Sequence, residues 1–447
     1  MNMDAFIQSL LRAAKEAGIE AAEIYLSSSD SFRAMCQKGE INNYTVNATR
    51  GLSLRGLYGG RMGYAATEAF DEEAVGQLVK GVIESAEVIE DDDVQEIYRG
   101  DEKYPEIDNY APQLDEVPEE RKLRIALAME PAAKALDERI VQLSYNMVTT
   151  TSAETRIVNS YGLDLKSRDN IAVAYISALA KEGDRVSTGK GFCATRDFDE
   201  ISVEKIAAEA VNEAIFMLNA EPVESGTYRA IILNKCMPDL LSTFSSVFSA
   251  ENAQKGKSLL AGREGERIAS DVVTLMDDPL LPGGFGSGAF DAEGAATFTK
   301  AVIEDGTLRT LLHNLKTARK AGVKTTGNAA KAGYAGSVRV APTNFYLKPG
   351  TKPLSELMAD MGSGLVITDV SGLHAGANAI SGDFSLIAQG YTVKDGRKDR
   401  AVERITVAGN FFELLKNIRA VGSDLVFPGS SVGSPSVDVG EISVAGK

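Results

Sequence analysis

The stretch from Thr274 to Asn328 constrains this chain more than any other. Met276-Asp277-Asp278-Pro279 ends an apolar run, and the proline holds Asp278 extended. Gly283, Gly284, Gly286 and Gly288 then form a loop in which the backbone needs positive φ or a close approach to something. Asp305-Gly306, between Ala301-Val302-Ile303 and Leu308, has the composition of a two-residue hairpin turn. Thr325-Thr326-Gly327-Asn328 closes the stretch with turn-forming residues. The stretch therefore reads as loop, hairpin and turn, with strands between.

At 447 residues the chain exceeds one ordinary core, so two or three domains are expected. Hydrophobic residues at 44% and charged residues at 25% suit a globular protein, and no apolar run is long enough for a membrane helix. The first residues, Met1 to Phe6, lack a basic and then apolar leader, so no export is expected and the Asn47-Ala48-Thr49 acceptor pattern carries no weight. Cys36, Cys193 and Cys236 are few, odd in number and widely spaced, which fits reduced thiols in the cytoplasm. A formal charge of −16 repels phosphate, so nucleic acid is not an expected partner, and neither is a membrane.

In chain order, Asp4 is expected to cap a helix bearing Ile7, Leu10 and Leu11, with Gly18 as its stop. Strands follow at Glu23–Ser28, Phe32–Cys36 and Ile41–Val46, then a hairpin around Gly59-Gly60 and a helix capped by Asp71. The acidic run Glu90-Asp91-Asp92-Asp93, with Pro105, Pro112 and Pro118 after it, reads as a solvated connection. A helix over Glu119–Leu136, kinked at Pro131, leads into a strand whose Val141, Leu143, Tyr145 and Met147 alternate toward one face. Val203–Leu218 is an amphipathic helix, and Glu221-Pro222 to Gly226 breaks the pattern. The domain boundary is placed there, with an α+β domain of antiparallel sheet and flanking helices over 1–220 and a β-rich domain over 221–447. In the second domain strands are expected at Tyr228–Leu233, Leu365–Asp369, Asp383–Ala388, Tyr391–Lys394 and Arg404–Val407, again antiparallel, with a helix over Met237–Val247.

The order of parts in the central stretch, with Phe290-Asp291-Ala292-Glu293-Gly294 after the glycine loop and Ala318-Arg319-Lys320-Ala321-Gly322 after the hairpin, resembles the TldD/PmbA family, also called the modulator of DNA gyrase family. The resemblance extends to Arg50–Arg55, Gly59–Gly63, Ser381–Ser385, Glu413–Ile418 and Ala420–Asp424, and so covers nearly the whole chain. In the TldD branch a zinc ion is held by an H-E-x-x-x-H helix and a C-terminal cysteine. The corresponding place here, Asp239–Ala250, reads DLLSTFSSVFSA, without His or Cys, and Pro428–Ser434 offers serines in place of the thiol. The resemblance therefore implies the PmbA branch, also called TldE, with the metal helix absent.

Other chemistries find little support. The chain has two histidines. His313 lies among Leu311, Leu312 and Leu315, which suits a packed side chain, and His374 lies in the glycine-rich run Ser371–Asn378. A two-histidine metal site with Asp291 or Asp383 has no supporting spacing. Ser287 sits in Gly-Ser-Gly, not in the Gly-x-Ser-x-Gly of a nucleophile elbow, and the same glycines match neither a P-loop nor a dinucleotide fingerprint.

The resemblance implies one subunit of a two-chain cytoplasmic metallopeptidase acting on unfolded or precursor peptides, with zinc on a TldD-type partner and this chain as heterodimer or homodimer. The β-rich half is then expected to supply dimer surface and chamber wall, with an open strand edge for an extended peptide. Two alternatives stand beside it. One is an independent homodimeric peptidase or hydrolase with a site near His374, Asn378 and Asp383. The other is a non-enzymatic modulator that binds another protein.

Overall fold

The computed structural model describes residues 2–89, 93 and 95–447, so Glu90, Asp91 and Asp92 of the acidic run lie outside the described residues. The chain is α+β throughout. Helix α1 (Met3–Glu16) buries Phe6, Ile7, Leu10 and Ala14. Its cap is Asn2, whose Oδ1 accepts the Ala5 N–H at 2.8 Å; Asp4 falls one position inside the first turn and instead meets Arg156 at 2.5 Å. Strands β1 (Ala21–Gln37) and β2 (Glu40–Tyr58) are each continuous where the sequence suggested short pieces. The polar run Ser27–Asp30 stays in β1 because β2 and β4 (Ile140–Asn159) satisfy its backbone from both sides. Over Glu40–Arg50, β2 pairs only with β1 and is exposed, leaving one edge open.

β3 (Arg61–Thr67), β5 (Asp164–Glu182) and β6 (Arg185–Thr195) complete one antiparallel sheet of order β3-β2-β1-β4-β5-β6. In β4 irregularities after Ile140 and Leu143 break the strict alternation expected there. The buried side chains become Leu143, Asn146, Val148 and Thr150, and Tyr145 and Met147 are only half-buried. Helix α2 (Glu72–Val88), capped by Asp71, covers the β1–β3 end. A single turn α3 (Pro112–Asp115), the long helix α4 (Glu119–Leu136, with Pro131 inside it) and α5 (Val203–Met217) cover the β4–β6 end. The placement of α5 is set by glycine. A Cβ on Gly189 would lie 2.1 Å from the Ala210 carbonyl and one on Gly191 2.0 Å from that of Ile206, so only glycine lets the helix backbone approach β6 this closely.

The second half begins with β7 (Gly226–Ile232) and helix α6 (Met237–Phe244). α6 forms because Pro238 and Asp239 suit its first turn while Met237, Leu240, Leu241 and Phe244 recur on one face and are buried. Phe244 stacks on Phe411 at 4.6 Å, a contact of about 0.5–1.5 kcal/mol beyond its area. β7 pairs in parallel with Gly364–Ser371, a departure from the all-antiparallel expectation. The sheet continues through Asp383–Lys394 to Arg397–Asn410, and Val437–Ala445 pairs with both β7 and Arg397–Asn410, closing these strands into a ring. The ring leaves these strands no free edge, while a second sheet of this half, formed by Thr307–Leu308, Lys300–Glu304, Leu275–Asp277, Phe345–Leu347 and Val432–Gly433 in that order, is open. The turns Asp305-Gly306 and Asp395-Gly396 both have positive φ at each residue, as the hairpin composition predicts.

Candidate functional site: a cleft and a latch between the two halves

Two cavities lie between the halves. The first, of about 540 Å³, is bounded by β2 and β3 on one side and by Glu293 with residues from 251–255, 314–320 and 331–338 on the other. Its wall is a buried ion network. Arg55 Nε and Nη2 donate to Glu23 at 2.8 and 3.1 Å, and Nη1 donates to Glu293 Oε1 at 2.9 Å. Glu293 Oε2 also accepts the Leu315 N–H at 2.9 Å, at the start of the helix Leu315–Ala321. All three charged side chains are 5% exposed or less. Asp291 accepts N–H groups from Glu293, Ala295 and Ala329 at 2.9–3.0 Å. Burial, with Glu293 next, pushes its carboxyl up to about 7. Lys331 donates to Ser53 Oγ at 2.7 Å beside the Tyr25 ring, and burial holds its amine down at about 8.

The glycine loop is gripped from the first half. Arg196 donates to the Gly283 carbonyl at 2.8 Å and to Asp169 at 2.7 Å, and Asn109 donates to the Ser287 carbonyl at 2.6 Å. Asp101 accepts the Ala296 N–H at 2.7 Å and Tyr104 donates to the Gly294 carbonyl at 2.8 Å. The described part of the proline-punctuated connection is largely exposed or half-buried, as expected, and also clips this loop through Asn109 and the turn after it through Asp101 and Tyr104.

The second cavity, about 770 Å³, is a cleft between α5 with the β5–β6 hairpin and the β7–α6 corner of the ring. Lys190 of β6 meets Asp369 at 2.9 Å, and its backbone N–H donates to Glu213 of α5 at 2.7 Å. Lys235 pairs with Glu209. Lys398 places its ammonium 3.4 Å from the Phe216 ring centroid and 4.8 Å from that of Tyr391. The carboxylate of Asp239, in the first turn of α6, makes no hydrogen bond or ion pair among the described residues, while its carbonyl accepts the Thr243 hydroxyl. Burial and then Asp369 raise its carboxyl above the usual range. No three His, Cys, Asp or Glu side chains among the described residues converge to hold a metal ion. The polar face of α6 offers Asp239, Ser242 and Thr243, and Cys236 beside it is buried with its thiol pushed well up, a donor set that does not fit zinc.

Residues 22–86, 112–218 and 225–446 match, respectively, domain 1, the central domain and the C-terminal domain of the PmbA/TldA metallopeptidases. A solved Thermotoga maritima protein described as a modulator of a DNA gyrase is 32% identical, superposes with a TM-score of 0.93, and the match covers 99% of this chain and all of that one. The chain belongs to the PmbA/TldD metallopeptidase family. It is also similar to a Haemophilus influenzae metalloprotease PmbA homolog, 26% identical over 91% of this chain and 88% of that one. TldE from Thermococcus kodakarensis shares the fold, with a TM-score of 0.91 at 23% identity over 99% of this chain and 100% of that one. In this PmbA/TldD chain the matches to domain 1 and the central domain fall on one shared sheet.

Of the residues singled out in the sequence, the structure joins Asn378 to Asp383. Asn378 Oδ1 accepts the N–H groups of Ile380 and Ser381, and its own N–H donates to the Asp383 carbonyl at 2.8 Å. Asp383 accepts from Asn410 at 2.9 Å, which holds its carboxyl below the usual range. These two thus brace a loop. His374 is exposed on the turn Leu373–Gly376, and no hydrogen bond joins it to either of them. His313 is buried beside the cap Asn314, with Nδ1 unpartnered and its basicity lowered by burial. Ser287 donates to the Leu281 carbonyl at 2.6 Å and accepts from Asn344, as a loop brace does. The cleft residues Glu213, Asp239, Asp369 and Lys398 carried no sequence motif. Their one signal was the family resemblance, which implies that Asp239–Ala250 and Pro428–Ser434 take the places of the TldD metal helix and thiol; Asp239 and Pro428 line the cleft.

Proposed function

We propose that this chain is the PmbA/TldE-type subunit of a cytoplasmic two-chain metallopeptidase that acts on unfolded or precursor peptides, with the zinc chemistry carried by a TldD-type partner. The observation that carries the reading is the donor set at α6, carboxylate and hydroxyl where a zinc helix needs imidazoles. The open, nearly uncharged edge Glu40–Arg50 of β2 supports a further role in holding an extended peptide or a partner strand. Cys36, Cys193 and Cys236 are all unpaired, in keeping with a reducing compartment.

The test is cleavage of an unfolded peptide by the chain alone and mixed with an H-E-x-x-x-H paralogue, with and without chelator. Cleavage is expected only in the mixture and is lost on chelation. Cleavage by this chain alone would sink the subunit reading.

A further inference from the structure

We propose that the cleft between the two halves binds the ammonium group of a peptide, with Asp239 as its counter-ion and the aromatic side of the cleft around the chain that carries it. That the carrier is a peptide rests on the reading above; that the ligand is a cation rests on the cleft itself. The charged side chains lining the cleft are four carboxylates and three lysines. Lys190 is taken by Asp369 and Lys235 by Glu209. Glu213 accepts only a backbone N–H, and the Asp239 carboxylate accepts no hydrogen bond from the described residues. The cleft is therefore one positive charge short, and the shortage falls on α6.

A second observation shows that this wall holds ammonium groups. Lys398, on the strand Arg397–Asn410, lays its Nζ on the faces of Phe216 and Tyr391, rings that themselves meet edge to face at 6.2 Å. Tyr175, Phe192 and Phe427 add aromatic lining. Carboxylates beside aromatic faces recognise organic cations, since the ring quadrupole and the carboxylate attract the same charge. A metal ion is a poorer occupant, because the carboxylates of the cleft do not converge on a point among the described residues. The volume of about 770 Å³ admits several peptide residues.

The ammonium can be a peptide's amino terminus or a lysine side chain, and the experiment separates them. The full chain, with no paralogue present, is titrated by fluorescence anisotropy with a short unstructured peptide labelled at its C-terminus. Three forms are compared: free amino terminus without lysine, acetylated with one internal lysine, and acetylated without lysine. One or both ammonium-bearing forms are expected to bind about tenfold or more tightly than the blocked form, and Asp239→Asn is expected to abolish that preference. Equal affinity for all three forms overturns the inference, as does a preference that Asp239→Asn leaves intact. If Asp239→Asn unfolds the chain, the three-peptide comparison on the native protein decides alone. Cleavage in the mixture is read separately, so the subunit reading can fail while cation binding stands, and the reverse.

Discussion

The two cavities are built from opposite materials. The smaller one is walled by Arg55 and Glu293, conspicuous in the sequence, and these are buried and paired with each other; Asp291, also buried, is saturated by backbone N–H groups. The larger one is lined by residues that stood in no motif, and its charges are half-exposed and incompletely paired. A long signature is thus explained here by the need to lock two halves together through a low-dielectric contact. Ligand chemistry falls to the less patterned surface.

The comparison breaks most readily at Arg55. Arg55→Met leaves Glu23 and Glu293 buried and unpaired, and urea unfolding should show a loss of about 3–5 kcal/mol. An unchanged midpoint would mean that the network does not hold the halves together. A pH titration sharpens the same point at Asp291. Its folded carboxyl sits near 7, above the ordinary aspartate value, so the folded chain binds the proton first. That contribution is fully present below about pH 4 and is lost as pH rises through about 7. Unfolding free energy measured from pH 5 to 8 should therefore carry a downward component that Asp291→Asn removes, whatever the variant's absolute stability. The smallest effect belongs to the cleft. Lys190→Ala breaks a partly exposed pair with Asp369, and the expected change is about 0.2–1 kcal/mol. A loss there as large as that at Arg55 would erase the distinction between latch and cleft.

Much of the fold was legible because its causes are local. Asp305-Gly306 and Asp395-Gly396 must turn where both residues take positive φ, and Asp71 caps a helix through its own side chain. The face of α5 follows from a period of 3.6. Where reading failed, a neighbour distant in sequence had decided. Ser27–Asp30 look like a break and remain strand because β2 and β4 flank them. The side chains of Tyr145 and Met147 lose the buried face because bulges shift β4 against β5. His374, Asn378 and Asp383 were grouped by glycine-rich context, but two of them brace a loop and the third is exposed.

The sequence by itself determined the family, the α+β class, the hairpins and the absence of histidine from Asp239–Ala250. Each of these is carried by residue identity at fixed spacing. Only the tertiary structure decided that Arg55 and Glu293 meet across the halves, that the strands of the second half close into a ring, and that Glu213, Asp239, Asp369 and Lys398 share one cleft. Those pairings join residues far apart along the chain. Their energy comes from burial and charge in a common space, and no local pattern of side chains records which distant partner will fill it.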